Sequence, residues 1–131
     1  ILEKGTGKIS IARAGHDAPL LFKASSKTAD PVQSPGIAIG IDSGDVFNEA
    51  IAEHGIHLDT GDILLLYTDG VNEASDIRGE EFGLQRLHKT LISAAPKGAD
   101  NLISEIQQSV NKFASNVPQN DDITLIAIEK T

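Results

Sequence analysis

A fully apolar stretch, Ile63-Leu64-Leu65-Leu66-Tyr67, is followed at once by Thr68-Asp69-Gly70. The chain enters it through Thr60-Gly61-Asp62. Because the run is short, has no polar position and is bounded by turn residues, it predicts a strand buried on both faces. Asp69 therefore lies where a rigid element ends, which is a suitable position for a metal ligand.

A second apolar stretch, residues 123–128, has Thr124 as its only polar member and predicts another central strand. Asp121 and Asp122 come directly before it. If the two strands are sheet neighbours, these carboxylates converge with Asp69 at one edge of the core. A hard divalent cation such as Mg²⁺ or Mn²⁺ would offset their mutual repulsion and takes oxygen ligands.

Neither acidic motif is specific by itself. Asp-Gly is a common turn pair, so the spacing alone favours a turn role for Asp69 over metal binding. For Asp121 and Asp122, the competing interpretation is a charged cap at the entry of a strand. His16 lies in a turn cluster, where hydrogen bonding to the backbone is favoured over catalysis.

The first half of the chain predicts short strands and loops. Residues 8–14 alternate between polar and apolar positions, and residues 19–23 form a short apolar run. A compact turn cluster at 15–18 separates the two segments, so together they predict a hairpin. Residues 24–36 are rich in Ser, Pro, Ala and Lys and predict an exposed loop. Weaker alternation over 46–58 indicates one or two strands.

The second half contains two segments with helical spacing. Their apolar positions are Leu84, Leu87 and Leu91 in the first, and Leu102, Ile103, Ile106, Val110 and Phe113 in the second. Asp100 is placed to cap the second helix. With strands at both ends and helices between them, the pattern predicts an α+β class with a mostly antiparallel sheet.

Composition indicates a soluble globular domain and excludes several classes. The chain has 131 residues, 40% of them hydrophobic, and 11 Lys and Arg against 19 Asp and Glu give a net charge of −8. That balance argues against a nucleic-acid groove. No apolar run approaches the ~20 residues that span a bilayer, and no signal peptide is visible, so a cytoplasmic setting is expected. The absence of cysteine excludes disulfides and cysteine-dependent phosphatase chemistry.

Five stretches become distinctive when they are taken together and in order. They are Ala14-Gly15-His16-Asp17-Ala18-Pro19-Leu20-Leu21, Gly36-Ile37-Ala38-Ile39-Gly40-Ile41, residues 58–74, Gly79-Glu80-Glu81-Phe82-Gly83-Leu84 and Asp121-Asp122-Ile123-Thr124. They are spread from residue 14 to residue 124, so the match extends over nearly the whole chain. The sequence resembles the stage II sporulation E and sigma-B-regulator branch of bacterial metal-dependent protein phosphatases, which have the PP2C-like fold.

The resemblance implies an αββα sandwich of mostly antiparallel sheets flanked by helices, with metal ions at one end. It implies that Asp69 and Asp121 are metal ligands. Positions that match the family without a direct ligand role are Gly70, Asn72, Glu73 and Asp122. Of these, Asp122, Gly70 and Glu73 are expected to support the site.

One departure from the family concerns the other metal ligands. In the family they come from an earlier Gly-Asp-x-x-Asp stretch and an Asp-x-x-Gly-His-Gly stretch, and neither occurs in these 131 residues. Residues 1–131 are therefore expected to form the C-terminal portion of a single PP2C-like domain. The chain alone is expected to have little or no activity.

For the complete domain, the resemblance implies a metal-dependent protein serine/threonine phosphatase with two Mn²⁺ or Mg²⁺ ions. The nucleophile would be a metal-bound water, so no protein side chain attacks the phosphate. The implied substrate is a phosphorylated anti-sigma-factor antagonist in a bacterial partner-switching pathway, and an upstream sensor or receiver domain is compatible with it. The alternative is a regulatory or interaction module that keeps the phosphatase fold without turnover.

Overall fold

The computed structural model describes residues 1–3, 5–41, 44–115, 117–119 and 121–131. The elements in chain order are β1 (Lys8–Ile11), β2 (Leu20–Lys23), β3 (Thr28–Pro31), α1 (Asp45–Ala50), β4 (His54–His57), β5 (Ile63–Tyr67), α2 (Asp69–Asn72), α3 (Gly83–Ala94), α4 (Ala99–Ala114) and β6 (Leu125–Glu129). A short 3-10 turn, Ala95–Lys97, joins α3 to α4. Within these ranges, no helix combines the length and the apolar character needed to cross a bilayer.

The strands form two antiparallel sheets. The larger sheet has the order β3-β2-β5-β6, and the smaller one pairs β1 with β4. Strand β5 is the buried strand that the apolar run predicts: Ile63, Leu64 and Leu65 are all at most 1% exposed. Since α3 and α4 contact one another and α4 contacts β6, the helices form a layer beside the larger sheet. The α+β class with antiparallel sheets is confirmed.

Two hydrophobic clusters lie on the two faces of the larger sheet. The first fills the space between the sheet and the helices, and includes Phe22, Leu65, Leu87, Leu91, Leu102, Ile106 and Val110. The second lies between the two sheets and includes Ile9, Val32, Leu58 and Leu64. The helical stripes predicted from the sequence are confirmed except at Leu84, which is 53% exposed. The described chain thus has helix, sheet and sheet layers of the predicted sandwich.

Several local predictions were wrong. The two runs around 15–18 do not form a hairpin, because β1 pairs with β4 whereas β2 pairs with β3 and β5. The predicted loop 24–36 contains β3, in which Ala29 is buried. Residues 46–58 contain a short helix and one strand.

Strand β6 also differs from its prediction, because it lies at an edge of the larger sheet and not at its centre. Ile126, on the face opposite the helices, is 51% exposed as a result. The face that carries Leu125 and Ala127 packs against the helical cluster, as the alternation predicts. The candidate site depends on the pairing of β6 with β5, and that pairing is present.

Helix α4 is capped by a residue from another element. Asp100 lies in the first turn, and α4 has no side-chain cap hydrogen bond at its N-cap, Gly98, so the predicted cap was wrong. Instead, the Ala99 N–H donates to Glu129 Oε2 at 2.9 Å. A carboxylate at this position satisfies a free N–H and interacts favourably with the positive end of the helix dipole.

Replacing Glu129 with alanine is expected to lower the free energy of unfolding by about 1 kcal/mol, as loss of a helix cap does. The midpoint of urea unfolding, followed by circular dichroism in the full-length protein, measures this change. Glu105→Ala is the matched control, because Glu105 belongs to a half-exposed ion pair with Lys97 at 3.3 Å that is worth under about 0.5 kcal/mol. Equal shifts in the two variants would contradict the capping role.

Candidate metal centre at the end of strands β5 and β6

The candidate site is assembled by the antiparallel pairing of β5 and β6, in which Tyr67 lies opposite Leu125. Asp69 follows β5 as the first residue of α2, and Asp121 and Asp122 precede β6. In an antiparallel pair the end of one strand lies beside the start of the other. The two acidic segments therefore meet at one end of the sheet, as the sequence predicts for neighbouring strands.

Thr68 joins the two segments. Its hydroxyl donates to the Asp122 carbonyl at 2.9 Å and accepts from the Thr124 N–H at 3.0 Å. The Thr68 N–H donates in turn to the Thr124 carbonyl at 3.2 Å. No role was predicted for Thr68 from the sequence. The signal available was a threonine beside each acidic motif, which suits a cross-strand hydrogen-bonded pair.

Gly70 lies directly under the segment that carries the other acidic residues. A Cβ atom on this buried glycine would come within 2.6 Å of the Asp122 carbonyl oxygen and 3.1 Å of the Asp121 carbonyl oxygen. Any side chain here would therefore collide with main-chain atoms, which cannot rotate away. The Asp-Gly pair is thus used for close packing, and Gly70 has a role beyond that of a turn residue.

Both candidate ligands have one carboxylate oxygen engaged locally. Asp69 Oδ1 accepts from the Gly70 N–H at 3.0 Å, and Asp121 Oδ1 accepts from the Asp122 N–H at 2.7 Å. Among the residues that the structure describes, the Oδ2 atom of neither side chain accepts a hydrogen bond. Both residues are exposed. Exposed carboxylate oxygens suit Mg²⁺ or Mn²⁺, which take hard oxygen ligands and retain several waters.

The donor set is nevertheless partial. No group of three or more His, Cys, Asp or Glu side chains within the described ranges is arranged to hold a metal ion. The two candidate ligands also line different cavities. Asp69 lines a cavity of about 390 Å³ with His16 and Asp17.

Asp121 lines a second cavity, of about 260 Å³, together with Glu73 and Glu81. Glu73 follows the last residue of α2, and its N–H donates to the Asp69 carbonyl at 2.8 Å. Its exposed side chain lies on the Asp121 side of the site. Asp122 is exposed and contributes its carbonyl to Thr68 and its N–H to Asp121.

Two further residues border the Asp69 side. The His16 carbonyl accepts from Arg13 Nη1 at 2.7 Å, which holds the main chain of this turn. Burial and, to a smaller extent, the negative charge of Asp17 raise the pKa of Tyr67 to about 12. The Tyr67 hydroxyl is therefore protonated at neutral pH and does not supply a negatively charged ligand.

Comparisons with known proteins agree with this architecture. The family model described as stage II sporulation protein E matches residues 1–131. The chain is 30% identical over 128 residues to the protein IcfG of Synechocystis and 26% identical over 125 residues to the phosphoserine phosphatase RsbU of Bacillus subtilis. Those matches cover 98% and 94% of this chain, but it spans only 19% and 35% of the two relatives.

Solved structures show the same fold. The RsbU and RsbW domains of Rv1364c from Mycobacterium tuberculosis superpose with a TM-score of 0.72 at 25% identity, covering 95% of this chain and 34% of that one. The SpoIIE phosphatase domain from Bacillus subtilis, presoaked with Mn, gives a TM-score of 0.70 at 14% identity. That match covers 98% of this chain and 53% of the SpoIIE chain. The SiaA PP2C domain of Pseudomonas aeruginosa gives a TM-score of 0.71 at 21% identity, and the match covers 93% of this chain and 46% of that one. The chain has a PP2C-like fold and belongs to the stage II sporulation protein E family.

Proposed function

We propose that this chain supplies the Asp69 and Asp121 part of a metal-dependent phosphatase site that hydrolyses phosphoserine or phosphothreonine esters in a protein. The observation that carries the proposal is the meeting of the two acidic segments over Gly70, held by the Thr68 hydroxyl. One relative is itself named a phosphoserine phosphatase. When bound, Mn²⁺ or Mg²⁺ would lower the pKa of a coordinated water and offset charge on the phosphoryl oxygens.

In this proposal the chain's own residues position the ligands. Asp69 and Asp121 offer their Oδ2 atoms, while the engaged Oδ1 atoms restrict the orientation of each carboxylate. Thr68 and the close contact at Gly70 set the spacing between the two segments. Glu73 and Asp122 support the site through their main-chain contacts. A preorganised arrangement of this kind avoids the cost of ordering the ligands when the metal binds.

We further propose that residues 1–131 are the C-terminal portion of the phosphatase domain, and that the remaining ligands come from the rest of that domain. The partial donor set supports this proposal, as does the 53% coverage of the SpoIIE phosphatase domain. By the family resemblance, the substrate would be a phosphorylated anti-sigma-factor antagonist. A cytoplasmic location and an upstream sensor or receiver domain stay predictions.

The proposal is tested by measuring Mn²⁺-dependent phosphate release from p-nitrophenyl phosphate and from a phosphoserine peptide in the full-length protein. Asp69→Asn and Asp121→Asn are each expected to lose at least about 100-fold in kcat/KM, because removing a direct ligand should cost at least as much as removing an outer-shell partner. Asp100→Asn is the matched control. It removes an exposed carboxylate near the opposite end of β6, where Ala99 bonds Glu129.

Two outcomes separate the alternatives. Activity that survives both ligand substitutions would overturn the assignment of Asp69 and Asp121. A full-length wild-type protein that binds Mn²⁺ but releases no phosphate from any phosphoserine protein or peptide would favour the non-catalytic interaction module.

A further inference from the structure

One polar side chain connects the Asp69 turn to a separate part of the chain. The acceptors around the Asn72 side chain assign its amide nitrogen, rather than its oxygen, to the position that faces Asp17 Oδ2 at 3.2 Å and the Asp69 carbonyl oxygen at 3.3 Å. Asn72 is the last residue of α2, and Asp17 lies in the turn between β1 and β2. Asn72 therefore bridges a carboxylate of that turn and the main chain of a proposed metal ligand.

The turn that carries Asp17 is itself firmly held. Arg13 Nη1 donates to the His16 carbonyl at 2.7 Å, and Arg13 Nε donates to the Ser34 carbonyl at 3.1 Å. Gly15 has a φ of +90°, and a Cβ atom there would lie 2.7 Å from Ala38 Cβ. Because of this packing, Asp17 extends from a fixed support.

The Asp69 main chain receives hydrogen bonds from two directions. The N–H of Glu73, the residue after α2, donates to the Asp69 carbonyl at 2.8 Å, and the Asn72 amide donates to the same oxygen. The Gly70 N–H also donates to Asp69 Oδ1 and so restricts the orientation of the carboxylate. The Asp17 side chain supplies a second acceptor oxygen to the same Asn72 amide nitrogen, and this contact restricts the orientation of the amide.

We propose that Asp17 and Asn72 are positioning residues for Asp69. Asp17 orients the Asn72 amide, and that amide holds the Asp69 main chain so that its free carboxylate oxygen has a defined position for a divalent cation. The inference rests on the proposed function, because it assumes that Asp69 binds metal. It assigns neither residue to the metal itself.

A competing explanation is that Asp17 attracts cations simply through its negative charge. The two explanations differ for Asp17→Asn, which removes the charge but keeps an oxygen that can accept from Asn72. A charge effect predicts equal loss in Asp17→Asn and Asp17→Ala. The positioning role predicts that only Asp17→Ala has a large effect.

The test is isothermal titration of Mn²⁺ into the full-length protein, together with thermal unfolding without metal. Asp17→Ala is expected to raise the Kd for Mn²⁺ about tenfold, within the range known for outer-shell partners, and Asp17→Asn less than about threefold. Asn72→Asp should bind Mn²⁺ with the highest Kd of these variants, since the carboxylates at positions 17 and 72 then face each other. The double variant Asp17→Asn with Asn72→Asp should bind Mn²⁺ at least about threefold more tightly than Asn72→Asp alone, because an amide at position 17 can donate to a carboxylate at position 72.

Equal Kd values for Asp17→Asn and Asp17→Ala would overturn the inference, as would a double variant no better than Asn72→Asp. Losses of affinity that simply follow a lowered metal-free unfolding temperature would also overturn it. If Asp69→Asn abolishes binding while every Asp17 and Asn72 variant binds normally, this inference alone fails. If the wild type does not bind Mn²⁺, the proposed function and this inference fail together.

Discussion

Replacing Gly70 with alanine is expected to lower Mn²⁺-dependent phosphatase activity by more than about 100-fold while the protein stays folded. The added Cβ would lie 2.6 Å from the Asp122 carbonyl oxygen and 3.1 Å from that of Asp121. These are main-chain atoms, so the segment 121–122 must move away from Asp69 to relieve the contact. A displacement of about 1 Å can cost about 100-fold in rate, and here both proposed ligands are displaced relative to each other.

The measurement is kcat/KM with p-nitrophenyl phosphate in the full-length protein, accompanied by the unfolding temperature. Gly55→Ala is the matched control, because Gly55 lies in β4 with no atom within 4 Å of the added Cβ. Thr68→Val is a less disruptive second variant, since it removes only the hydroxyl that bonds Asp122 and Thr124. It is expected to lower kcat/KM about tenfold. Wild-type activity in both Gly70→Ala and Thr68→Val would contradict the proposed geometry.

Replacing Asp62 with alanine is expected to lower the free energy of unfolding by about 3–5 kcal/mol. Asp62 is 1% exposed, and its carboxylate accepts from Lys23 Nζ at 2.6 Å and from the N–H groups of Ala24 and Asp59, both at 2.9 Å. The substitution leaves two N–H groups without their acceptor, that of Ala24 just after β2 and that of Asp59 in the turn that starts β5. Since β5 carries Asp69 at its other end, the same turn supports the position of the site.

The control is Asp59→Ala. Asp59 is also beside Lys23, at 3.3 Å, but its side chain is 72% exposed, so a change within about 0.5 kcal/mol is expected. Midpoints of urea unfolding in the full-length protein compare the two variants. A loss of similar size in both would show that the Lys23 ion pair matters and that the buried hydrogen bonds of Asp62 do not.

The Asp62 contribution should depend on pH in a defined direction. Burial opposes ionisation of Asp62, but the Lys23 ammonium and the N–H groups of Ala24 and Asp59 outweigh it and hold the pKa below its usual value of 3.8. A group whose folded-state pKa is lowered stabilises the protein above the unfolded pKa and loses that effect as pH falls through the folded pKa. The stability difference between wild type and Asp62→Asn should therefore be constant from about pH 5 to 7 and shrink below about pH 4.

Sequence reasoning predicted the elements whose residues carry their own signal. The fully apolar run of β5 is removed from water only by burial on both faces, and the apolar stripe of α4 keeps one helical period over its whole length. That the segments carrying Asp69 and Asp121 lie side by side followed from one assumption, the pairing of two apolar strands. That pairing is present because the two runs are the strongest strand signals in the chain.

The predictions that failed depended on partners far away in the sequence. The turn around His16 looks the same locally whether its flanking strands pair with each other or join different sheets. Strand β3 has only Ala29 buried, so its structure comes from pairing with β2 and not from its own composition. The bridge from Asp17 through Asn72 to Asp69 was invisible for the same reason, since no local pattern links those positions.

The Thr68–Asp122 hydrogen bond joins residues that are 54 positions apart in the sequence, and this distance affects the order of folding. A ribosome adds roughly 5–20 residues per second, so several seconds pass between the synthesis of β5 and that of β6. Closing such a long loop costs chain entropy before any contact compensates for it. The two halves of the proposed metal site are therefore not paired during early synthesis, and under that proposal metal binding would report that the sheet has been completed.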